Sequence, residues 1–421
     1  VSIGRDIQAR IYRAGVFGAR PTVPTSFDAL EEAARRRMSP EAWSYVHGGA
    51  GLQATVRANR EALDRVRLVP RYLVDVEERD LSVELLGRRL SSPLLLAPIG
   101  VLEMAHPDAE YAVAHAARDL DIPMVISTQG SVPMEETARA LGRTPRLFQL
   151  YWSRNEDVVR SFVQRAESIG ADAIVVTLDT HLLGWRTHDL DLGYLPFARA
   201  EGIAQYTSDP AFRSLVESPR PSGETPRPRL RELPAALKTL RSMRRHWPER
   251  VGLSDLRPRA AVETFLDVFS RSDLTWADLA RLREMTRLPI LVKGVQHRAD
   301  ARLALEHGVD GIVVSNHGGR QVDGAIGSLE ALPGVVEEVG AHGRDVPVLF
   351  DSGIRGGADV VKALALGARA VLVGRPWVYG LALAGEDGVR SVLEHLLAEL
   401  DLTLGLIGAR TPGELGPDFL A

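Results

Sequence analysis

"VDGIVVSNHGGRQVDG" (Val309–Gly324) couples a short apolar run to a glycine-rich turn that carries a histidine and an arginine. The run Gly311–Val314 contains no polar alternation, so it reads as a strand covered on both faces. It ends in Ser315 and Asn316 and then presents His317 and Arg320. Such an ending is either a satisfied surface turn or one corner of a reaction site. The position of the turn in the fold decides between them.

Working outward, comparable runs recur on both sides. They are PLLLAPIG (Pro93–Gly100), MVIST (Met124–Thr128), RLFQLY (Arg146–Tyr151), AIVVTLD (Ala173–Asp179), PILVKG (Pro289–Gly294), PVLFDSG (Pro347–Gly353) and AVLVGRP (Ala370–Pro376). Segments of helical period separate most of them, among them AEYAVAHAARDL, NEDVVRSFVQRAESIG and GADVVKALALGA. Glycine near the close of the last two is a common helix stop. Eight strand–helix units in a row predict an α/β fold, a closed (β/α)8 TIM barrel rather than an open doubly wound sheet.

One interval breaks the regularity. Between Thr180 and Leu288 the chain holds amphipathic helical patterns and the proline-rich piece ESPRPSGETPRPRLRELP (Glu217–Pro234). An insertion at this strand end, residues 187–288, is expected to lie over the barrel mouth like a lid, with a disordered tip at Glu217–Arg229. Residues 1–92 read as a helical, short-stranded N-terminal extension packed on the barrel of residues 93–421.

The 421 residues are 45% hydrophobic and 25% charged, a globular balance. A net charge of -4 offers no footprint for nucleic acid. No apolar run is long enough to span a bilayer, and the first residues lack the order of a signal peptide. The expected location is therefore cytoplasmic. The absence of cysteine excludes disulfides, thiolate metal sites and cysteine nucleophiles.

In a (β/α)8 barrel the chemistry gathers at the C-terminal ends of the strands. Here those ends offer Ser127, Gln149, Tyr151, Thr177, Asp179, Lys293, Ser315, His317, Asp351, Gly374 and Arg375. His317 is suited to act as a base near neutral pH, oriented by a carboxylate such as Asp179. Arg186 and Arg320 present forks that match a carboxylate. Lys293 would stabilise an anion on a cofactor or substrate, and Tyr151 would bond a hydroxyl or alkoxide. The set suits removal of hydrogen from a carbon beside a carboxylate, with no metal required. The electron acceptor is expected at DSGIRGGAD (Asp351–Asp359) and GRP (Gly374–Pro376), where Ser352, Gly353 and Arg355 join Arg375 around a phosphate. A flavin mononucleotide combines one phosphate with redox capacity. GAGLQA (Gly49–Ala54) follows a helical stretch instead of a strand and reads as a turn, not a dinucleotide fingerprint.

With these residues laid out, the chain resembles the FMN-dependent 2-hydroxy-acid oxidase and dehydrogenase family. SNHGGRQ is its most specific motif, and AHP, FQLY, TLDT, LVKG and KALALGA follow the same order between about Ala29 and Arg410. ERDLSVELLG, APIGV, GWR, YLPF, SDPAF and LFDSGIR resemble its lactate 2-monooxygenase branch, long insertion included. The resemblance implies His317 as base paired to Asp179, and a substrate carboxylate held by Arg186, Arg320 and Tyr45. It implies Tyr151 on the substrate hydroxyl and Lys293 at the flavin N1/O2 edge. Pro98, Ile99, Gly100, Ser127, Gln149 and Thr177 would contact the flavin ring or ribityl chain, with Gly353, Arg355, Gly374 and Arg375 at the phosphate. It further implies reoxidation by O2, possible oxidative decarboxylation of a retained product, and a homo-oligomer, tetrameric or octameric.

Two departures stand out. Gln129 occupies a position where relatives often place an apolar or aromatic residue, which leaves substrate size open, and His47 stands where a small residue is common. His47, Trp152 and Trp185 read as packing residues, and His106, His181 and His188 as caps or surface residues. Two other functions use similar parts: an isomerase of the isopentenyl diphosphate type, and a flavin-binding protein without catalysis. The paired arginines argue against the first, and the His317–Asp179 pairing against the second.

Overall fold

Eight parallel strands close on themselves in the computed structural model, which describes residues 2–217, 229–252 and 254–421. A hairpin of β1 (Val83–Leu85) and β2 (Arg88–Leu90) leads into the barrel. Its strands are β3 (Leu94–Leu96), β4 (Met124–Ser127), β5 (Arg146–Leu150), β6 (Ile174–Thr177), β7 (Ile290–Val295), β8 (Gly311–Val314), β9 (Val348–Phe350) and β10 (Ala370–Val373). Each pairs in parallel with the next in the chain, and β10 returns to β3. The fold is the expected (β/α)8 barrel.

Alternation along each strand sorts side chains into two cores. Leu95, Val125, Leu147, Val175, Leu291, Val313, Leu349 and Leu372 supply one inward residue per strand, none more than 3% exposed. Their neighbours on either side, such as Ile174 and Val176 or Ile312 and Val314, face outward into the larger core shared with the helices. Leu85 and Leu90 of the hairpin join the inner cluster. The hairpin therefore stops the N-terminal end of the barrel.

The N-terminal extension covers the opposite end and one flank. Helix α1 (Ile3–Gly15) lies on the long final helix Arg375–Ile407, where Asp401 accepts from Gly4 N at 2.9 Å and from Arg79 Nε at 2.8 Å. Helices α2 (Phe27–Arg37), α3 (Pro40–His47) and α4 (Ala54–Arg65) reach the C-terminal rim. There Asn59 of α4 and Asn316 exchange side-chain hydrogen bonds at 2.9 and 2.7 Å.

The described part of the insertion is packed on the barrel. Tyr206 and Phe212 are fully buried, and the Tyr206 ring lies 4.9 Å from Phe162 of a barrel helix and 4.8 Å from Phe265. The Gln205 carboxamide accepts from Met134 N at 2.8 Å and donates to Val132 O at 3.1 Å. Of the tip expected to be disordered, residues 218–228 lie outside those described. Among the described residues no helix is long and apolar enough to cross a membrane.

Truncating the stopper opens a cavity under the barrel. Leu90→Ala should cost about 2–5 kcal/mol of stability, read as a lowered urea midpoint. An unchanged midpoint would show that the hairpin does not seal the barrel.

Candidate active site

Counting two residues upward from the inner apolar layer reaches Ser127, Gln149, Thr177, Lys293, Ser315, Asp351 and Gly374. This layer is polar on almost every strand. Two residues further stand Gln129, Tyr151, Asp179, His317 and Gly353. The strand period thus stacks a polar layer and then an ionisable layer on the apolar plug.

The upper layer centres on a buried charge. The His317 Nδ1–H donates to Asp179 Oδ1 at 2.7 Å, and the Thr180 hydroxyl donates to the same oxygen at 2.8 Å. This leaves His317 Nε2 facing the cavity that the ring lines. The Lys293 ammonium lies 3.9 Å from Asp179 Oδ2 and 3.2 Å from Asp351 Oδ2, and donates to Ser315 Oγ at 2.9 Å. Burial alone would raise the Asp179 carboxyl, but His317, Lys293 and Thr180 hold it well below the usual carboxylate range. Burial lowers His317; Asp179 opposes that, Lys293 and Arg186 add to it, and the balance falls below the ordinary histidine value. Lys293 is raised, because Asp351 and Asp179 outweigh its burial. Burial and the Asp179 charge push the Tyr151 phenol up to about 12, so it stays protonated.

Backbone geometry holds the centre together. His317 has φ 57° and Ser352 φ 87°, left-handed values that non-glycine residues adopt at a cost. Gly294 has φ 112°, and a Cβ there would stand 3.0 Å from Asp179.

Two arginines face the same space without acidic partners among the described residues. Arg320 Nη1 donates to the Tyr45 carbonyl and, at 2.9 Å, to Gly48 O, while its guanidinium lies 5.0 Å from the Tyr45 ring centre. Arg186 donates through Nε to Arg320 O at 3.3 Å and through Nη2 to Gln321 Oε1 at 2.9 Å. Burial, then the like charge of Arg186, lowers Arg320 to about 9, still a cation at neutral pH. An arriving anion would relieve this repulsion.

Arg60, Arg355 and Arg375 also line the cavity, with Gly353 and Gly374. Arg375 donates to Val46 O at 3.0 Å, Gly318 O at 3.0 Å and Gly48 O at 3.2 Å. Arg355 lies 4.5 Å from the Phe27 ring centre. Both also tie the extension to the rim, a task the sequence did not announce.

The cavity encloses about 1430 Å³ of empty space, its open mouth included. Pro98, Ile99, Gly100, Ser127, Tyr151, Lys293, Asp351 and Ser352 line it, while Gln149, Thr177, Asp179 and Ser315 sit behind the lining. Gln149 Nε2 and Thr177 Oγ1, just behind the lining, are buried without a hydrogen-bond partner among the described residues. With Ser127 and Lys293 on the lining they suit the polar ring edge of a flavin, and the arginine cluster suits its phosphate. The residues fit the group.

The structure brings these strand ends together, with several neighbours that the sequence did not single out. Thr180 and Gln321 lie inside quoted motifs, yet only the fold shows them bonded to Asp179 and Arg186. Phe269 and Arg60 carried no signal. Trp185, expected to pack, is 72% exposed, because its turn juts from the mouth; Trp152 is buried. His47 stacks on Trp43 at 4.3 Å and also edges the cavity.

Barrel, polar rim and arginine cluster together suit a flavin-dependent oxidoreductase. The sequence model of the FMN-dependent dehydrogenase family matches residues 34–421. The FMN-dependent alpha-hydroxy acid dehydrogenase qulF of Penicillium citrinum is 42% identical over 414 residues, 98% of this chain and 94% of its own. The L-lactate oxidase of Lysinibacillus sphaericus is 38% identical over 390 residues, 93% of this chain and 91% of its own. A solved structure of mandelate oxidase with (S)-4-hydroxymandelic acid superposes with a TM-score of 0.76 at 36% identity, covering 94% of this chain and 98% of that one. The chain belongs to this family of FMN-dependent 2-hydroxy-acid oxidases and dehydrogenases, and is an enzyme that uses FMN.

Gly294→Ala tests the backbone around the buried charge. It should cost about 1–3 kcal/mol, through strain at positive φ and displacement of Asp179. Thermal melting of the purified variant reads the loss. A melting temperature matching the parent would show that the conformation is not required.

Proposed function

We propose that the enzyme oxidises an L-2-hydroxy acid, lactate-like at its reacting end, to the 2-keto acid and passes the electrons to O2. The observation that carries the reading is the His317–Asp179 bond of 2.7 Å, beside two arginines of the cavity lining that lack acidic partners among the described residues. When bound, FMN accepts the two electrons that leave the substrate.

Every other part falls to side chains of the chain. Arg186 and Arg320 bind the carboxylate, with Tyr45 packed under Arg320, and so fix the 2-carbon over the rim. Tyr151, protonated, donates to the substrate hydroxyl. His317 takes the substrate proton at Nε2, and Asp179, bonded at Nδ1, holds the ring orientation and stabilises the imidazolium. Lys293 would hold its positive charge beside the bound cofactor. Gln149 and Thr177 serve the ring edge, and Gly353, Arg355, Gly374 and Arg375 the phosphate.

Phe197, 3% exposed, lines the cavity from the insertion and packs edge-on against Tyr45 at 6.5 Å. That wall supports retention of the keto acid until oxygen has reacted, so that peroxide formed there decarboxylates it. Product retention deepens the reading from oxidase to monooxygenase.

His317→Gln should keep FMN yet slow anaerobic flavin reduction by about 10²–10⁴-fold. In the parent, protonating His317 removes the base, so kcat/KM falls as pH drops through its pKa. Because that value lies below the ordinary 6.5, activity should hold down to pH 6.5 and fail only beneath it. Parent-like reduction by the variant, or an acidic limb above 6.5, would refute the base assignment. For retention, peroxide released per hydroxy acid consumed should fall well short of stoichiometric; stoichiometric peroxide marks a plain oxidase.

A further inference from the structure

Gln129 is a polar side chain at the rim that the proposed reaction leaves unused. It stands two residues beyond Ser127, as Tyr151 stands beyond Gln149, Asp179 beyond Thr177 and His317 beyond Ser315. By strand period it belongs to the same layer as the groups that do the chemistry. It is 8% exposed and lines the cavity. Its carboxamide meets no hydrogen-bond partner among the described residues, although Gln129 N donates to Ser127 Oγ at 3.1 Å.

The residue is also held firmly. Val101 N donates to Gln129 O at 2.9 Å, and a Cβ added to Gly100 would come within 2.8 Å of Gln129 Cβ. One residue on, Ala204 N of the insertion donates to Gly130 O at 3.1 Å, and Ser131 N donates to the buried Glu110 at 2.8 Å. Main chain pinned on both sides fixes where the amide starts. Leu183, Phe197 and Phe269 line the same cavity and give it apolar surface.

A buried amide with both donor and acceptor, in a cavity with apolar surface, rewards a ligand that pairs with it and penalises one that does not. From this geometry, and resting on the proposed oxidation of 2-hydroxy acids, we infer that Gln129 selects substrates. The preferred class is a 2-hydroxy acid with an apolar body and a hydrogen-bonding group on its side chain. Small aliphatic or unsubstituted aryl acids strip water from the amide without replacing it. The discrimination comes from a neutral group, so it amounts to about 10–100-fold in kcat/KM.

The test uses the FMN-loaded enzyme and three pairs of acids that differ by one hydroxyl: lactate and glycerate, 2-hydroxybutyrate and 2,4-dihydroxybutyrate, mandelate and 4-hydroxymandelate. Anaerobic flavin reduction gives kcat/KM for each. Affinities for phenylacetate and 4-hydroxyphenylacetate, which carry no 2-hydroxyl to oxidise, are read from the flavin spectrum. The parent should favour the polar member of at least one pair by about tenfold or more. Gln129→Leu should collapse that ratio, and so should Gln129→Asn, which keeps an amide but withdraws it by one methylene. The Asn variant decides the matter should the Leu variant fail to fold. Reduction by the acids with no polar preference overturns the inference and leaves the oxidation reading standing. A preference that survives both variants also overturns it, since another group is then the reader. Reduction by none of the six acids overturns the oxidation reading, and this inference with it.

Discussion

A carboxylate buried beneath the barrel mouth constrains much of the rest. Asp179 is removed from water, and an unpaired charge there is among the costliest things a fold can hold. Three groups from separate strand ends answer it: His317, Thr180 and the Lys293 ammonium. Lys293 in turn needs Asp351 and Ser315. Each partner must arrive at a set place, so the backbone accepts left-handed conformations at His317 and Ser352 and a glycine-only one at Gly294. Strain of this kind persists only where surrounding contacts over-determine it.

The same pairing prepares the site for reaction. An ionised Asp179 and a neutral imidazole form a base whose free nitrogen faces the cavity. The electric field around it is uneven by construction: the Asp179 carboxylate lies behind the lining, and the guanidinium groups of Arg186 and Arg320 face the cavity. A carboxylate entering such a space meets fixed donors that need no reorganisation.

Segments remote in sequence complete the enclosure. Tyr45 and His47 on α3, with Asn59 and Arg60 on α4, line the cavity from the N-terminal extension, and Phe197 does so from the insertion. Arg375 and Arg320 bind carbonyls at the end of α3, so the loops that carry the chemistry also hold the extension in place. A barrel without these additions would leave its rim open to water. The additions therefore belong to the active site as much as to the scaffold.

Much of this was legible beforehand, for a physical reason. Parallel strands buried on both faces must be apolar throughout, so their sudden polar endings in Gln149, Thr177, Lys293, Ser315 and Asp351 mark the rim unambiguously. The two-residue period then predicts which side chains share a layer. The motif SNHGGRQ further identified His317 and Arg320. What the sequence could not determine was set by contacts between distant segments. That Gln321 braces Arg186, that Arg375 bonds the Val46, Gly48 and Gly318 carbonyls, that Trp185 projects outward and that Tyr206 of the insertion packs on Phe162 all depend on how separate elements meet. Local composition determines which residues are buried and which face inward; the partner each one finds is decided only when barrel closure brings strand ends more than a hundred residues apart into contact, as with Asp179 and His317.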